Sequence, residues 1–163
     1  NATVRSEMVD AGKAVVDTQG KDCLEPLMRI FEGILQKPDQ KTPEYDWTNE
    51  AAIVLYGSLA QHLPDSDTRT NDVISKLTAT LSTPSESVQH AVAMCLPPLV
   101  RSKDLDAGQY VSLLLDQLLQ AKQYAARRGA AYGLAGIIRG KGISALRQFR
   151  IMSSLKAASE NKK

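Results

Sequence analysis

The segment Ser87-Val-Gln-His-Ala-Val92 decides the fold, because its pattern recurs at three other places in the chain. The segment contains a residue pair that begins at Val88, and related pairs begin at Val4, Thr48 and Ala126. Each pair is followed within a few positions by Ala or Val, and the four starts are 44, 40 and 38 residues apart. Leu-rich helical stretches precede the last three pairs, so the sequence predicts two alternating kinds of helix.

This alternation predicts an all-α fold, an α-solenoid of the HEAT type. A period of about 40–47 residues fits HEAT or armadillo repeats and is too long for tetratricopeptide or ankyrin repeats. A single helix pair cannot cover its own apolar faces, so stacked pairs must share one core. Eight helices are predicted, over about residues 3–17, 22–36, 46–62, 68–82, 83–99, 106–122, 124–139 and 143–161. They make three full repeats flanked by half-repeats, so we expect residues 1–163 to be one HEAT-repeat fragment of a larger solenoid.

Local features set further expectations for individual helices. The apolar face of the first helix is formed by Val4, Met8, Ala11 and Val15. Pro97-Pro98 should kink or loosen the last turn of the fifth helix, because each proline removes a backbone donor. The seventh helix is expected to end at Gly140, and the eighth to run unbroken from Ile143 to about Asn161.

The composition argues against several classes of protein. No run of 18 or more apolar residues is present, so no membrane-spanning segment is expected. Cys23 and Cys95 are isolated, which predicts two small buried residues in a reducing compartment such as the cytosol. His62 and His90 have no Cys or His companion, so neither a metal nor another cofactor is expected. The sequence matches no catalytic or phosphate-loop motif, and we expect no catalytic residue and no enzyme.

Three glycines stand inside the seventh predicted helix. Gly129, Gly133 and Gly136 are spaced by four and three residues. Glycine in a helix interior is less favourable than alanine by about 1 kcal/mol, so these positions need a compensating interaction. Close packing of a neighbouring helix is the simpler explanation, and a groove that receives a partner helix is the alternative.

The charge is unevenly distributed along the chain. Residues 1–121 carry 10 Lys and Arg against 17 Asp and Glu, whereas residues 122–163 carry 10 Lys and Arg against Glu160 alone. The candidate contact residues for a polyanion such as ribosomal RNA, or for an acidic partner, are Lys122, Arg127, Arg128, Arg139, Lys141, Arg147, Arg150 and Lys156. Pairing of the same residues with acids of neighbouring repeats remains an open alternative.

Two runs of the sequence resemble one known family. The first is the 81–100 run, Leu-Ser-Thr-Pro-Ser-Glu-Ser-Val-Gln-His-Ala-Val-Ala-Met-Cys-Leu-Pro-Pro-Leu-Val. The second is the 124–143 run, which contains Arg-Gly-Ala-Ala-Tyr-Gly-Leu-Ala-Gly. Both are similar to the very large HEAT-repeat translational activator of the general amino acid control pathway. The resemblance points to the central region of that family, which is similar to the HEAT region of fungal elongation factor three. Lys141 departs from the more apolar residue of some members, which weakens its case as a shared contact.

The resemblance implies a non-catalytic scaffold that binds ribosomes, through ribosomal RNA or a ribosomal protein. Such a scaffold promotes activation of the starvation-response kinase that phosphorylates the alpha subunit of initiation factor two. The resemblance also implies an ABC-type ATPase partner and a cytoplasmic location, and it puts the kinase contact outside this chain. The alternative function is a transport- or phosphatase-type HEAT scaffold that binds protein cargo.

Overall fold

The computed structural model describes residues 2–37, 42–101 and 106–160, and every regular element in these ranges is helical. The helices are α1 (Ala2–Gln19), α2 (Leu24–Leu35), α3 (Pro43–Leu59), α4 (Arg69–Thr80), α5 (Glu86–Val100), α6 (Gly108–Gln120), α7 (Tyr124–Lys141), α8 (Ala145–Gln148) and α9 (Ile151–Glu160). A 3-10 turn, Ala60–His62, follows α3. The prediction of an all-α fold is confirmed.

The chain forms two compact units, residues 1–77 and 78–163. In the first unit, α3 packs against both α1 and α2. In the second unit, α7 packs against both α5 and α6, and α9 packs against α6 and α8. Each unit therefore has one central helix that is covered by two neighbours.

In the first unit α1 and α3 run parallel. Along both helices, contacting residues are separated by an almost constant number of positions in the sequence, which we call the offset. Near the helix starts, the Arg5 guanidinium stacks on the Trp47 ring with 4.0 Å between Cζ and the ring centroid. Near their ends, the carboxylate of Asp17 accepts a hydrogen bond from Gln61 Nε2 at 2.6 Å, across 44 residues of sequence. In an antiparallel pair, the offset between contacting residues would change steadily along the two helices.

The second unit repeats this arrangement with α5 and α7. Arg128 Nη1 donates to Glu86 Oε2 at 3.0 Å, and the two residues are 42 apart in sequence. Two to three helical turns further on, Arg139 Nη1 contacts Met94 Sδ at 2.8 Å, with an offset of 45. Both units thus contain a parallel helix pair with an offset close to the spacing of the sequence pattern, as a HEAT repeat requires.

The seventh helix lies where it was predicted and ends at Lys141, one residue beyond Gly140; the chain turns at Gly142, whose φ of 89° suits glycine. One expectation about the second unit was wrong. The predicted eighth helix is broken into α8 and α9 at Phe149 and Arg150, and Arg150 adopts a φ of 53°. The apolar pattern continues across this break, so periodicity alone could not locate it.

The apolar face of the first helix is not the face that the first unit buries, and one expectation about burial failed in part. Val4, Met8, Ala11 and Val15 are exposed, and Val16 is the buried residue of α1 among those whose burial is described. Cys95 is buried as expected, but Cys23 is exposed.

The glycines of α7 lie against the turn before α5 and against α5 itself. A Cβ placed on Gly129 would overlap the carbonyl oxygen of Leu81. A Cβ on Gly136 would lie 2.5 Å from the Ala93 carbonyl oxygen. A Cβ on Gly133 would lie 2.5 Å from Leu81 Cδ1. Backbone and side-chain atoms of the same unit therefore fill the space in front of all three glycines.

Gly140 extends this contact to the end of α7, where the sequence predicts only a helix stop. A Cβ on Gly140 would lie 2.6 Å from the Pro97 carbonyl oxygen. α5 remains helical through Pro97 and Pro98 to Val100. Pro97 has no N–H to offer the Ala93 carbonyl one turn earlier, and Gly136 packs on that carbonyl. The glycines and prolines thus bring the backbones of α5 and α7 together.

Substitution of Gly129 by alanine should destabilise the protein, because the new methyl group has no space beside Leu81. We expect the free energy of unfolding to fall by about 2–4 kcal/mol. The matched control is Gly33→Ala, since a Cβ at Gly33 in α2 meets nothing within 4 Å. That substitution should leave stability unchanged or raise it by about 0.5–1 kcal/mol through helix propensity. Urea unfolding monitored by circular dichroism measures both values, and equal effects of the two substitutions would contradict this packing.

Candidate functional site

The candidate basic residues fall into two groups at opposite ends of α7. The helix has 18 residues and is therefore about 27 Å long. Lys122, Arg127 and Arg128 lie at its start. The group at or beyond its end consists of Arg139, Lys141, Arg147, Arg150 and Lys156. The eight residues do not form one continuous patch, so each group has its own surroundings.

Arg128 uses its donors inside the second unit. Its Nη1 donates to Glu86 Oε2 at 3.0 Å, its Nη2 to the Pro84 carbonyl at 2.9 Å, and its Nε to Gln89 Oε1 at 2.8 Å. The other carboxylate oxygen of Glu86 accepts the Tyr132 hydroxyl at 2.9 Å, a bond that raises the pKa of Tyr132. These contacts join the start of α5 to α7, which indicates a structural role for Arg128.

Gln89 is the buried centre of this network. Its side chain is fully enclosed, and Nε2 lies within 2.8 Å of the carbonyl oxygens of Leu81, Thr83 and Ala125. Because Arg128 donates to Oε1, the orientation of the amide group is fixed: oxygen toward the guanidinium, nitrogen toward the three carbonyls. Gln89 therefore ties the turn before α5 to the first turn of α7.

Arg127 has a different local function at the same end of α7. Its Nη1 donates to the carbonyl of Ala121, the residue that caps α6, at 2.9 Å. A cation at this position satisfies a carbonyl at the helix end and is favoured by the helix dipole. Lys122 is exposed beside it and accepts a longer contact from Arg127 through its backbone oxygen, at 3.5 Å.

The basic residues at the end of α7 are more open to solvent. Arg139, Arg147 and Arg150 are exposed, and within the described ranges none of the three has a carboxylate in ion-pair range. Lys141 is half-buried. Lys156 is exposed on α9 and pairs with Glu160 at 3.8 Å, a long surface contact that contributes little to stability.

One further arginine, missed by the sequence reasoning, lies at this end. Because α5 and α7 are parallel, Gly140 meets Pro97, and exposed Arg101 follows Pro97 by four residues. In the sequence, Arg101 belongs to the acidic part of the chain, residues 1–121. Only the packing of α7 on α5 brings it beside the C-terminal end of α7. We name as the basic end Arg101, Arg139, Lys141, Arg147 and Arg150.

The described residues contain neither a metal site nor a membrane-spanning helix. No group of three or more His, Cys, Asp or Glu in these ranges could hold a metal ion. No described helix is long and apolar enough to cross a membrane.

In the first unit, burial raises the pKa of Asp17, but hydrogen bonds from Lys13, Ser58 and Gln61 outweigh this and lower the pKa overall. Asp17 thus acts as a charged acceptor that ties α1 to the end of α3.

Known proteins match the chain over almost its whole length. Residues 1–61 match the family described as Stalled ribosome sensor GCN1, HEAT repeats. The chain is 44% identical over 160 residues to the Stalled ribosome sensor GCN1 of Homo sapiens. This match covers 98% of the chain and 6% of that protein. The sequence belongs to the GCN1 family. The HEAT-type fold and the resemblance that the two sequence runs indicated are thereby confirmed.

More distant relatives match the same extent. The chain is 42% identical over 158 residues to the Protein ILITYHIA of Arabidopsis thaliana, covering 97% of the chain and 6% of that protein. It is 39% identical over 161 residues to the eIF-2-alpha kinase activator GCN1 of Saccharomyces cerevisiae, covering 98% of the chain and 6% of that protein. No solved structure matches the chain. The chain thus spans 6% of the length of these relatives.

Replacement of Gln89 by leucine should destabilise the second unit, because it leaves buried carbonyls and Arg128 Nε without their partner. We expect the free energy of unfolding to fall by about 2–4 kcal/mol. Gln120→Leu changes the same residue type at an exposed site on α6 and should change stability by no more than about 0.5 kcal/mol. Urea unfolding of both variants tests this, and a Gln89→Leu protein as stable as the parent would show that the network contributes nothing.

Proposed function

We propose that this chain is a non-catalytic HEAT-repeat part of a GCN1-type protein, and that it binds ribosomes through its basic end. The observation that carries the proposal is the set of exposed arginines without carboxylate partners at the end of α7, among the described residues. The printed name of a relative that is 44% identical, a sensor of stalled ribosomes, supports the choice of ribosome as target.

The chemistry of the basic end suits a phosphate backbone. Four of its five residues are arginines, whose planar guanidinium groups bind phosphate oxygens in a bidentate manner. Phosphate contacts release counterions, so each adds about 0.7–0.9 to the slope of log affinity against log salt concentration. Phe149, the aromatic residue between Arg147 and Arg150, is half-buried, and the contact we propose is therefore with the RNA backbone and not with stacked bases.

The wider role of the chain follows from the same proposal. The yeast relative is named a kinase activator for eIF-2-alpha, and we propose that ribosome binding by this part supports activation of that kinase by the whole protein. We propose the kinase contact outside this chain, an ABC-type ATPase as a further partner, and the cytoplasm as the location. Residues 1–163 then act as one part of a longer solenoid.

Reversal of charge at the basic end should weaken ribosome binding. In co-sedimentation with purified ribosomes, we expect the affinity of the Arg139→Glu, Arg147→Glu double variant to fall at least tenfold, and its salt slope to decrease by about 1.4–1.8 if each arginine contacts one phosphate. The matched control reverses two exposed charges of the first unit, Lys21→Glu and Arg29→Glu, and has the same net charge. The control should bind as the parent does.

Three results would overturn this assignment. Equal loss of binding in both variants would mean that only net charge matters. Unchanged binding of the Arg139→Glu, Arg147→Glu protein would place the contact elsewhere. Binding that does not respond to salt would favour the alternative, an apolar contact with protein cargo. Unchanged helicity by circular dichroism checks that each variant is folded.

A further inference from the structure

One methionine lies within the basic end. Met94 of α5 is 40% exposed, and its Sδ atom lies 2.8 Å from Nη1 of Arg139 on α7. Arg101 follows Met94 by seven residues, or about two helical turns, so both lie on the same side of the helix. A solvent-accessible thioether therefore lies beside arginines that we assign to phosphate binding.

The contact with Arg139 distinguishes Met94 from the other methionines. Met28 is fully buried. Met8 and Met152 are more exposed than Met94, at 69% and 59%, but neither sulfur accepts a hydrogen bond from the described residues. A thioether is only a weak acceptor, so Arg139 can exchange this contact for a phosphate oxygen at little cost. In the reduced protein, Arg139 is thus available to a phosphate.

We propose that Met94 is a site of reversible oxidation by hydrogen peroxide, and that its sulfoxide holds Arg139 away from phosphate. The sulfur lone pair attacks one oxygen of the peroxide, so that an S–O bond forms and the O–O bond breaks. Sulfur loses two electrons in this step, and the peroxide is reduced. The departing hydroxide takes the proton of the new S–OH group and leaves as water, and the product is methionine sulfoxide.

The new oxygen changes what Arg139 contacts. A sulfoxide is polar, and a hydrogen bond from a guanidinium group to its oxygen is charge-assisted and therefore stronger than the bond to the thioether. Because Sδ already lies 2.8 Å from Nη1, an oxygen bound to this sulfur comes within reach of Arg139. The sulfoxide of Met94 therefore competes with phosphate for Arg139. This inference rests on the proposed function, since the competition requires that Arg139 binds phosphate.

The bond between the sulfoxide and Arg139 is tested by stability. Met8 and Met152 would be changed to leucine, so that Met94 remains the exposed methionine. Peroxide then oxidises Met94, and peptide mass spectrometry verifies the site. Urea unfolding compares the oxidised and reduced forms, with Arg139 and with Arg139→Ala. We expect oxidation to raise the equilibrium constant for unfolding by about threefold more when Arg139 is absent. Equal effects with and without Arg139 would overturn the proposal.

Co-sedimentation with ribosomes tests the consequence for binding. Oxidation of the same protein should lower its affinity by about three- to tenfold, and methionine sulfoxide reductases should restore it. The matched control also carries Met94→Leu, receives the same peroxide treatment and should keep its affinity. An equal loss of affinity in this control would assign the effect to another residue and contradict the inference.

The charge-reversed protein separates this inference from the proposed function. If Arg139→Glu with Arg147→Glu weakens ribosome binding but oxidation of Met94 does not, the inference fails and the proposed function stands. If these two substitutions leave binding unchanged, the proposed function fails, and the effect of oxidation on binding fails with it. The stability comparison still decides whether the sulfoxide binds Arg139.

Discussion

The backbone contact between α5 and α7 is the constraint on which the second unit depends. Glycine removes the side chain from α7, so α7 can lie directly on the carbonyl groups of α5. Pro97 leaves the Ala93 carbonyl without its usual helical partner, and Gly136 occupies the space in front of it. An interior glycine lowers helix propensity by about 1 kcal/mol, and this loss is offset by a contact that no larger residue can make.

This contact also fixes the direction and register of the two helices. A parallel arrangement brings the N-terminal ends of α5 and α7 together, where Glu86, Gln89 and Arg128 form hydrogen bonds. It brings their C-terminal ends together as well, where Arg101 and Arg139 are exposed. The helix dipoles favour cations at such ends. The same packing thus separates arginines that stabilise the unit from arginines that are available to a partner.

The sequence predicted the helices and the repeat because periodicity and spacing are local properties of a chain. It could not distinguish Arg128 from Arg139, since both carry the same charge and only the distant Glu86 and Met94 set them apart. Arg101 was missed for the same reason, because its proximity to α7 is a result of packing. The break at Arg150 interrupts an apolar pattern that continues on both sides of it. The first helix shows the converse: the sequence predicted the helix correctly, but Val16, and not the apolar residues Val4, Met8 and Val15, is the residue that the first unit buries.

Site-specific photo-cross-linking to ribosomes tests most directly the claim that the basic end, and not the start of α7, makes the contact. A photoreactive probe would be attached to a cysteine that replaces either Arg147 or Lys122, in a protein whose exposed Cys23 is changed to serine. Both attachment sites are exposed, and they lie at opposite ends of α7. We expect cross-links to ribosomal RNA from position 147 and few from position 122. Cross-links from position 122 alone, or equal yields from both positions, would contradict the account.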